Sequence, residues 1–257
     1  AARTLQPALT QAFEQIQEAV RSLGDAHEGP LDVACFSTFT VKWLIPRLFD
    51  FHAHHPGIEV RLRTTDTGTD AAREGCDLLI TAIPTDSSGN SGQAIADDER
   101  ALPLFDEYLG PVMSPAMAGP VARPQDLASL PLLHTRGRRD AWDLWAASMD
   151  MAPPAAAGPV YEHYYFTLEA ALRGLGAAVA PWHLVMDDVQ AGRLLAPFGF
   201  TASGYRYLAL RRSTAAPARL DTLCTWLQAQ VRAMPQVPAV QGLSLIHISE
   251  PTRLRRI

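Results

Sequence analysis

Between Leu31 and Ile80 short apolar runs alternate with helical periodicity, and this alternation constrains the fold more than any other feature of the chain. Leu31-Asp32-Val33-Ala34-Cys35-Phe36 reads as a short, mostly apolar strand. Ser37-Thr38 reads as a helix start, with a hydroxyl to cap orphan N–H groups. Val41, Leu44, Ile45, Leu48 and Phe51 carry that helix to Pro56-Gly57. Ile58-Glu59-Val60-Arg61-Leu62-Arg63 alternates apolar and polar residues, as a half-buried strand does. A short helix through Ala71-Ala72-Arg73-Glu74-Gly75 leads into a third strand, Asp77-Leu78-Leu79-Ile80. The series is βαβαβ, which implies a parallel sheet with right-handed crossovers.

A second α/β series follows a polar loop at Pro84 to Glu99. Leu102–Phe105 and Tyr108–Met113 read as extended. Pro131–His134 is a strand, Ala141–Met149 a helix, and Pro153–Pro159 a spacer. Val160–Tyr165 reads as a strand, Phe166–Leu175 as a helix ended by Gly176, and Ala177–Pro181 as a further strand. Tyr205–Leu210 is the last strand and Leu220–Met234 a terminal amphipathic helix. Ahead of both series, Leu5, Leu9, Phe13, Ile16, Val20 and Leu23 recur at spacings of three and four. They form one helical stripe, suited to docking on its own domain or on a second copy. Gly24–Pro30 reads as a linker. Ser244–Ile257 fits no part of the pattern; it resembles the conceptual translation of a sequencing-adapter oligonucleotide and is read as non-native.

Composition excludes several classes. With 257 residues, 47% hydrophobic and 19% charged, the chain has the make-up of a folded protein of one large or two small domains. No apolar run approaches the roughly 18 residues of a membrane span. No basic stretch followed by an apolar core marks a secretory signal at Ala1–Thr4. A net charge of -5 argues against binding nucleic acid by charge alone. Three scattered cysteines, Cys35, Cys76 and Cys224, fit a reducing cytoplasm rather than a disulfide framework.

Three stretches together resemble the effector-binding region of LysR-type transcriptional regulators, in the branch of the glycine-cleavage and β-lactamase regulators. The first is Phe36–Phe51 with His55-Pro56-Gly57-Ile58-Glu59-Val60, in which Trp43-Leu44, Pro46-Arg47-Leu48 and His55-Pro56 are the telling residues. The second is Asp187–Phe198, and the third Leu168–Ala178. Order and spacing agree over residues 1–234. The resemblance implies an α/β fold of two Rossmann-like subdomains, periplasmic-binding-protein-like (type 2), joined by two crossover strands and preceded by a long linker helix. Subdomain I is expected over 30–108 and 208–234, subdomain II over 109–207, and the linker helix over 1–24. A small-molecule effector is expected in the cleft between the subdomains. The family's DNA-binding winged helix-turn-helix has no counterpart in the chain, so DNA contact is expected only through that missing module. A homodimer or tetramer is implied, with no cofactor and no membrane contact.

Candidate effector residues lie where strands end and helices begin. Ser37, Thr38 and Phe39 follow the first strand, where helix N–H groups and hydroxyls suit a small carboxylate or amino acid; plain capping is the alternative. Thr65 ends the second parallel strand, and ligands collect beyond the carboxyl ends of such strands; Asp66 beside it suits a cap. Tyr164, Tyr165 and Thr167 mark another strand-to-helix junction, with two rings to wall a pocket and a hydroxyl to donate; aromatic core packing competes for at least one of Tyr164, Tyr165 and Phe166. Pro181 and Trp182 follow a later strand and are placed to close the cleft. His134 ends a strand and suits either an effector contact or a structural role. The family often carries an Arg soon after the third strand; here the chain reads Ile80-Thr81-Ala82-Ile83, which weakens the expectation of a ligand ion pair there.

Other signals read as structural. His52, His54 and His55 cluster without a carboxylate or Cys at ligand spacing, as on a solvated helix end. Trp142 and Trp145 suit a core, the cysteines suit inert buried thiols, and Arg136, Arg138 and Arg139 suit a solvated loop. No phosphate loop, nucleophile elbow or metalloprotease motif occurs. Two further functions stay open at this point: a solute-binding protein of a transporter, which calls for a signal peptide, and a small-molecule enzyme, which calls for a catalytic constellation.

Overall fold

The structure is a computed structural model and describes residues 29–65, 75–85, 95–119, 121–154, 158–214 and 217–239. The helix expected over 1–24, residues 71–74 of the expected short helix, most of the loop at 84–99 and the tail at 244–257 lie outside the described residues. The chain divides into two compact units. Unit 1 takes the described residues up to Asp106 together with Gly204–Met234, and unit 2 takes Glu107–Ser203 and the described residues from Pro235.

Unit 1 is built on β1 (Leu31–Cys35), β2 (Val60–Thr64) and β3 (Leu78–Pro84). β1 is central: it runs parallel to β2, with Leu31 opposite Val60 and Cys35 opposite Thr64, and parallel to β3, with Val33 opposite Leu78. The chain therefore leaves β1 towards one side and returns on the other, so the strand order reverses at the carboxyl end of β1. β8 (Thr201–Arg211) closes this sheet antiparallel to β3, from Leu78 opposite Arg211 to Pro84 opposite Tyr205. Ala34, Cys76, Leu79, Ile83, Leu208 and Leu210 form one apolar cluster. On the helical side, Trp226 of the terminal helix, here α6 (Ala218–Arg232), donates its Nε1–H to Asp50 Oδ2 at 3.2 Å.

The first helical run is not one regular helix. It opens as α1 (Ser37–Phe39), widens to a π turn over Thr40–Leu44, and continues as α2 (Ile45–His54). Thr40 explains the widening. Its hydroxyl donates to the Phe36 carbonyl at 3.0 Å and meets Cys35 Sγ at 2.9 Å, while its own carbonyl accepts the Ile45 N–H five residues on. A buried threonine that bonds back one turn competes with the helix's own pattern.

Unit 2 repeats the topology. β5 (Leu132–Thr135) is central and parallel to both β6 (Val160–Tyr161) and β7 (Ala177–Pro181). α3 (Ala141–Ser148) connects β5 to β6 and α4 (Tyr164–Leu172) connects β6 to β7, so the order reverses again at the end of β5. The outer part of β4 (Ala101–Val112) pairs antiparallel with β7, Leu109 opposite Pro181. Leu109, Met113, Leu127, Trp142, Trp145, Val179 and Phe198 are buried together, so both tryptophans of α3 are core. β4 and β8 each serve both units: β4 changes unit between Asp106 and Glu107, and β8 between Ser203 and Gly204. Past α6 the chain returns to unit 2, where Phe200 N–H donates to the Pro238 carbonyl at 3.0 Å.

Three expectations need correction. Leu102–Phe105 and Tyr108–Met113 are one continuous strand, β4. Val160–Tyr165 is a strand only at Val160–Tyr161, because β5 ends at Thr135 and leaves nothing further to pair with. Tyr164 and Tyr165 therefore belong to the first turn of α4. That helix ends at Gly174 rather than Gly176: Gly174 takes a left-handed φ of +73°, and Leu175 N–H closes onto the Ala170 carbonyl at 3.0 Å. One helix had no counterpart in the sequence reading: Trp182–Gln190, α5, begins directly at the end of β7 with Pro181 as its N-cap.

Candidate functional site

In open α/β sheets ligands gather beyond the carboxyl ends of the strands, at the point where strand order reverses. Each unit has one such point. In unit 1 it lies at the end of β1, and Ser37 and Thr38 occupy it as expected. Their expected capping role is not what the structure shows. The N-cap is Phe36, whose side chain makes no capping bond, so Ser37 and Thr38 sit inside the first turn. Ser37 is half-buried and Thr38 buried. Phe39 does not reach a surface. It is 1% exposed and stacks on Trp43 at 5.0 Å and on Tyr207 at 5.6 Å, so it belongs to the core. Thr65, half-buried, follows β2 and donates its backbone N–H to the Cys35 carbonyl at 3.0 Å; Asp66 lies outside the described residues. The fourth turn of this run holds Arg47 against Trp43, 4.9 Å above the ring and with its Nη1–H on the Trp43 carbonyl at 2.9 Å.

In unit 2 the reversal lies at the end of β5. His134 is half-buried there, with its backbone N–H on the Pro159 carbonyl at 3.0 Å. Thr135 is buried, and its hydroxyl meets the Thr167 hydroxyl at 2.7 Å. Thr167 is thus at the predicted junction, but its hydroxyl ties α4 to β5. Tyr165 is half-buried and stacks on His163 at 5.3 Å. Pro181 and Trp182 are buried. The Trp182 indole N–H donates to the Pro235 carbonyl at 3.2 Å and its ring meets Phe200 edge-on at 5.0 Å.

A polar cluster that sequence reasoning missed surrounds Tyr164. Glu107, only 1% exposed, accepts a hydrogen bond from Arg138 Nη1 at 2.9 Å. Arg138 was expected on a solvated loop with Arg136 and Arg139; its side chain is instead 18% exposed. Burial works against its charge, but Glu107, Tyr164 and Asp140 together more than restore it, so the guanidinium stays protonated. The Tyr164 hydroxyl is enclosed and has no hydrogen-bond partner among the described residues. Burial pushes its phenol above the ordinary range, although the Arg138 charge pulls the other way, so it stays a donor. His183, 2% exposed, is pushed down to about 3 by burial first and by the Arg138 charge second, and is neutral at physiological pH. The sequence held one signal for this cluster: a glutamate in a strand otherwise buried at alternate positions demands a cation, and a cation on a short post-strand turn can supply it.

The other candidate groups have ordinary surroundings. His54 Nδ1 sits 2.8 Å from the Asp50 carbonyl oxygen on an exposed helix end. Among the described residues no group of three or more His, Cys, Asp or Glu is placed to hold a metal ion. All three cysteines are buried and none forms a disulfide; burial first raises each thiol, Cys35 up to about 11. No helix among the described residues is long and apolar enough to cross a membrane.

Comparison with known proteins agrees with this architecture. Residues 24–232 match the family model described as the LysR substrate binding domain. The chain is 34% identical over 236 residues to the HTH-type transcriptional regulator TrpI of Pseudomonas aeruginosa, covering 88% of this chain and 76% of that one. It is 30% identical over 232 residues to the glycine cleavage system transcriptional activator of Escherichia coli K12, covering 88% and 73%. Among solved structures, the AmpR effector binding domain from Citrobacter freundii superposes with a TM-score of 0.65 at 26% identity, over 80% of this chain and all of that one. These relatives are regulators of transcription, not transporter solute-binding proteins or enzymes. The chain belongs to the LysR-type transcriptional regulators, as an effector-binding domain with the periplasmic-binding-protein-like type 2 fold.

Proposed function

We propose that this domain is a cytoplasmic sensor of a small organic or amino acid. The observation that carries the reading is the doubled topology: each unit reverses its strand order at the end of a central parallel strand, and each places polar groups there. Ser37, Thr38 and Thr65 are the unit 1 candidates, and His134, Tyr164 and Tyr165 those of unit 2. Thr167, Pro181 and Trp182 support these positions from behind. Phe39 acts through packing. Domain bounds near 30–108 with 208–234, and 109–207, are part of the same proposal, as is transmission to DNA only through the family's winged helix-turn-helix.

LysR-type regulators form oligomers, and a homodimer is proposed here. Val41, Ile45 and Phe49 recur every four residues along one helical face and are 51%, 50% and 84% exposed. Such a stripe suits a second copy of the chain.

A thermal-shift screen of small carboxylates and amino acids tests the sensor reading. A ligand at a hundred times its Kd adds about 2.7 kcal/mol, which raises Tm measurably. Stabilisation by at least one class, reduced by Ser37→Ala or Tyr164→Phe, is the expected result. A Tm unmoved by every compound overturns the reading.

A further inference from the structure

We propose that the Arg138 guanidinium and the Tyr164 hydroxyl form a carboxylate subsite at the end of β5, and that unit 2, not the helix start at Ser37, reads the acid group of the effector. The inference deepens the sensor reading and rests on it.

Four observations converge. First, the position is where the topology of unit 2 directs a ligand: Arg138 closes the turn that leaves β5, and Tyr164 opens the helix that follows β6, the strand beside it. Second, the Tyr164 hydroxyl is enclosed without a partner among the described residues. A buried hydroxyl left without a bond is costly, so the fold keeps it there against its own stability. Its phenol stays protonated and therefore donates, and what it lacks is an acceptor oxygen. Third, Arg138 is oriented rather than mobile. Its Nη1 bond to Glu107 at 2.9 Å fixes the plane of a fork whose geometry matches a carboxylate. Thr135 lies opposite Tyr161 across β5 and β6, so Arg138 and Tyr164, each three residues further on, leave the same end of adjacent strands. Fourth, the surrounding groups leave Arg138 as the one full positive charge of the cluster. Glu107 and Asp140 both act on Arg138 and Tyr164, His183 is neutral, and the N-terminus of the nine-residue α4 adds a partial positive charge beside an incoming anion.

Unit 1 offers a carboxylate much less. Ser37 and Thr38 bring hydroxyls, but the arginine of the same helical run, Arg47, is occupied by the face and carbonyl of Trp43. The strand ahead of the other crossing, β3, carries Ile80-Thr81-Ala82-Ile83 and no cation.

Amide NMR spectra of the whole 257-residue chain, titrated separately with sodium acetate and with the neutral isostere acetamide, test the subsite. Saturable shifts with acetate are expected at Glu107, Arg138 and Tyr164–Thr167, and weaker ones with acetamide. Arg138→Gln raises the acetate Kd by about tenfold or more, the cost of a lost charge-assisted bond. Because Arg138→Gln leaves Glu107 buried without its cation, Tyr164→Phe is the second variant. It removes an unpartnered hydroxyl, so its Tm stays level or rises while acetate binding weakens. A fall in Tm for Tyr164→Phe shows that the hydroxyl has a structural partner and overturns the subsite. So do equal responses to acetate and acetamide, or no saturable response to acetate. Acetate shifts centred on 36–40 that survive Arg138→Gln also overturn it, yet leave the sensor reading standing.

Discussion

Asp106 and Glu107 are neighbours on β4, yet they mark the difference between the two units. Asp106 belongs to unit 1 and pairs with Arg206 at 2.6 Å, with both side chains near half exposed, 46% and 45%. Glu107 belongs to unit 2 and pairs with Arg138 at 2.9 Å, with 1% and 18% exposed. Alternation along a strand sends one carboxylate to water and the next inward. The contrast extends to the strand ends. Unit 1 presents two hydroxyls above an aromatic core of Phe39, Trp43 and Tyr207, whereas unit 2 encloses charge. Two units of the same topology thus differ in what stands at their strand ends: hydroxyls in unit 1 and an enclosed ion pair in unit 2.

The largest expected effect breaks this contrast at β4. Glu107→Ala leaves the buried-side guanidinium without its carboxylate, a loss of about 3–5 kcal/mol. Asp106→Ala, one residue away, costs less than about 1 kcal/mol, as exposed pairs do. Urea unfolding of the two variants measures both. Similar losses sink the claim that the chain changes surroundings between these two positions.

Acid sharpens the same contrast. His183 titrates at 6.5 in the unfolded chain and is pushed down to about 3 in the fold. Over that window the unfolded chain binds a proton that the folded chain refuses. The stability this group contributes is complete above 6.5 and is lost as pH falls towards 3. The slope is at most about 1.4 kcal/mol per pH unit. Urea midpoints between pH 7 and about pH 5, where carboxylates are still largely ionised, should fall more steeply in the wild type than in His183→Gln. Equal slopes in the two proteins contradict the assignment.

Much of this was legible before the structure. The two α/β series, the central strands and the junctions at Ser37 and Tyr164 follow from periodicity, because burial on both faces of a parallel strand leaves a nearly continuous apolar run. The failures share one cause. Tyr161–Phe166 carries the aromatic content of a strand, yet strand formation depends on a neighbour, and β5 stops at Thr135. Phe39 sits beside two hydroxyls in sequence, but one residue along a helix turns a side chain by about 100°, and that step takes it into the core. Arg138 looked solvated because its partner is 31 residues away on another strand. Long-range pairing of single charges leaves no local trace, so the side of the site that carries charge was hidden while the side that carries hydroxyls was visible.

The smallest effect compares the hydroxyls themselves. Thr167 lies 1% exposed with its hydroxyl 2.7 Å from that of Thr135. Thr167→Val strands the Thr135 hydroxyl in the interior and costs about 1–2 kcal/mol. A second change, Thr135→Val, then returns part of that loss, because the pair is replaced by two apolar groups of similar shape. Ser37→Ala costs no more than about 0.5 kcal/mol, since the N-cap of its helix is Phe36 and no cap is removed. Thermal unfolding of the four variants decides the matter. A loss near 1 kcal/mol for Ser37→Ala, the usual value for a lost cap, contradicts the placement of Ser37 inside the turn. Additive losses in Thr135→Val and Thr167→Val contradict the pair. If both hold, the Thr167 hydroxyl ties α4 to β5, and the Ser37 hydroxyl is not spent on a helix cap.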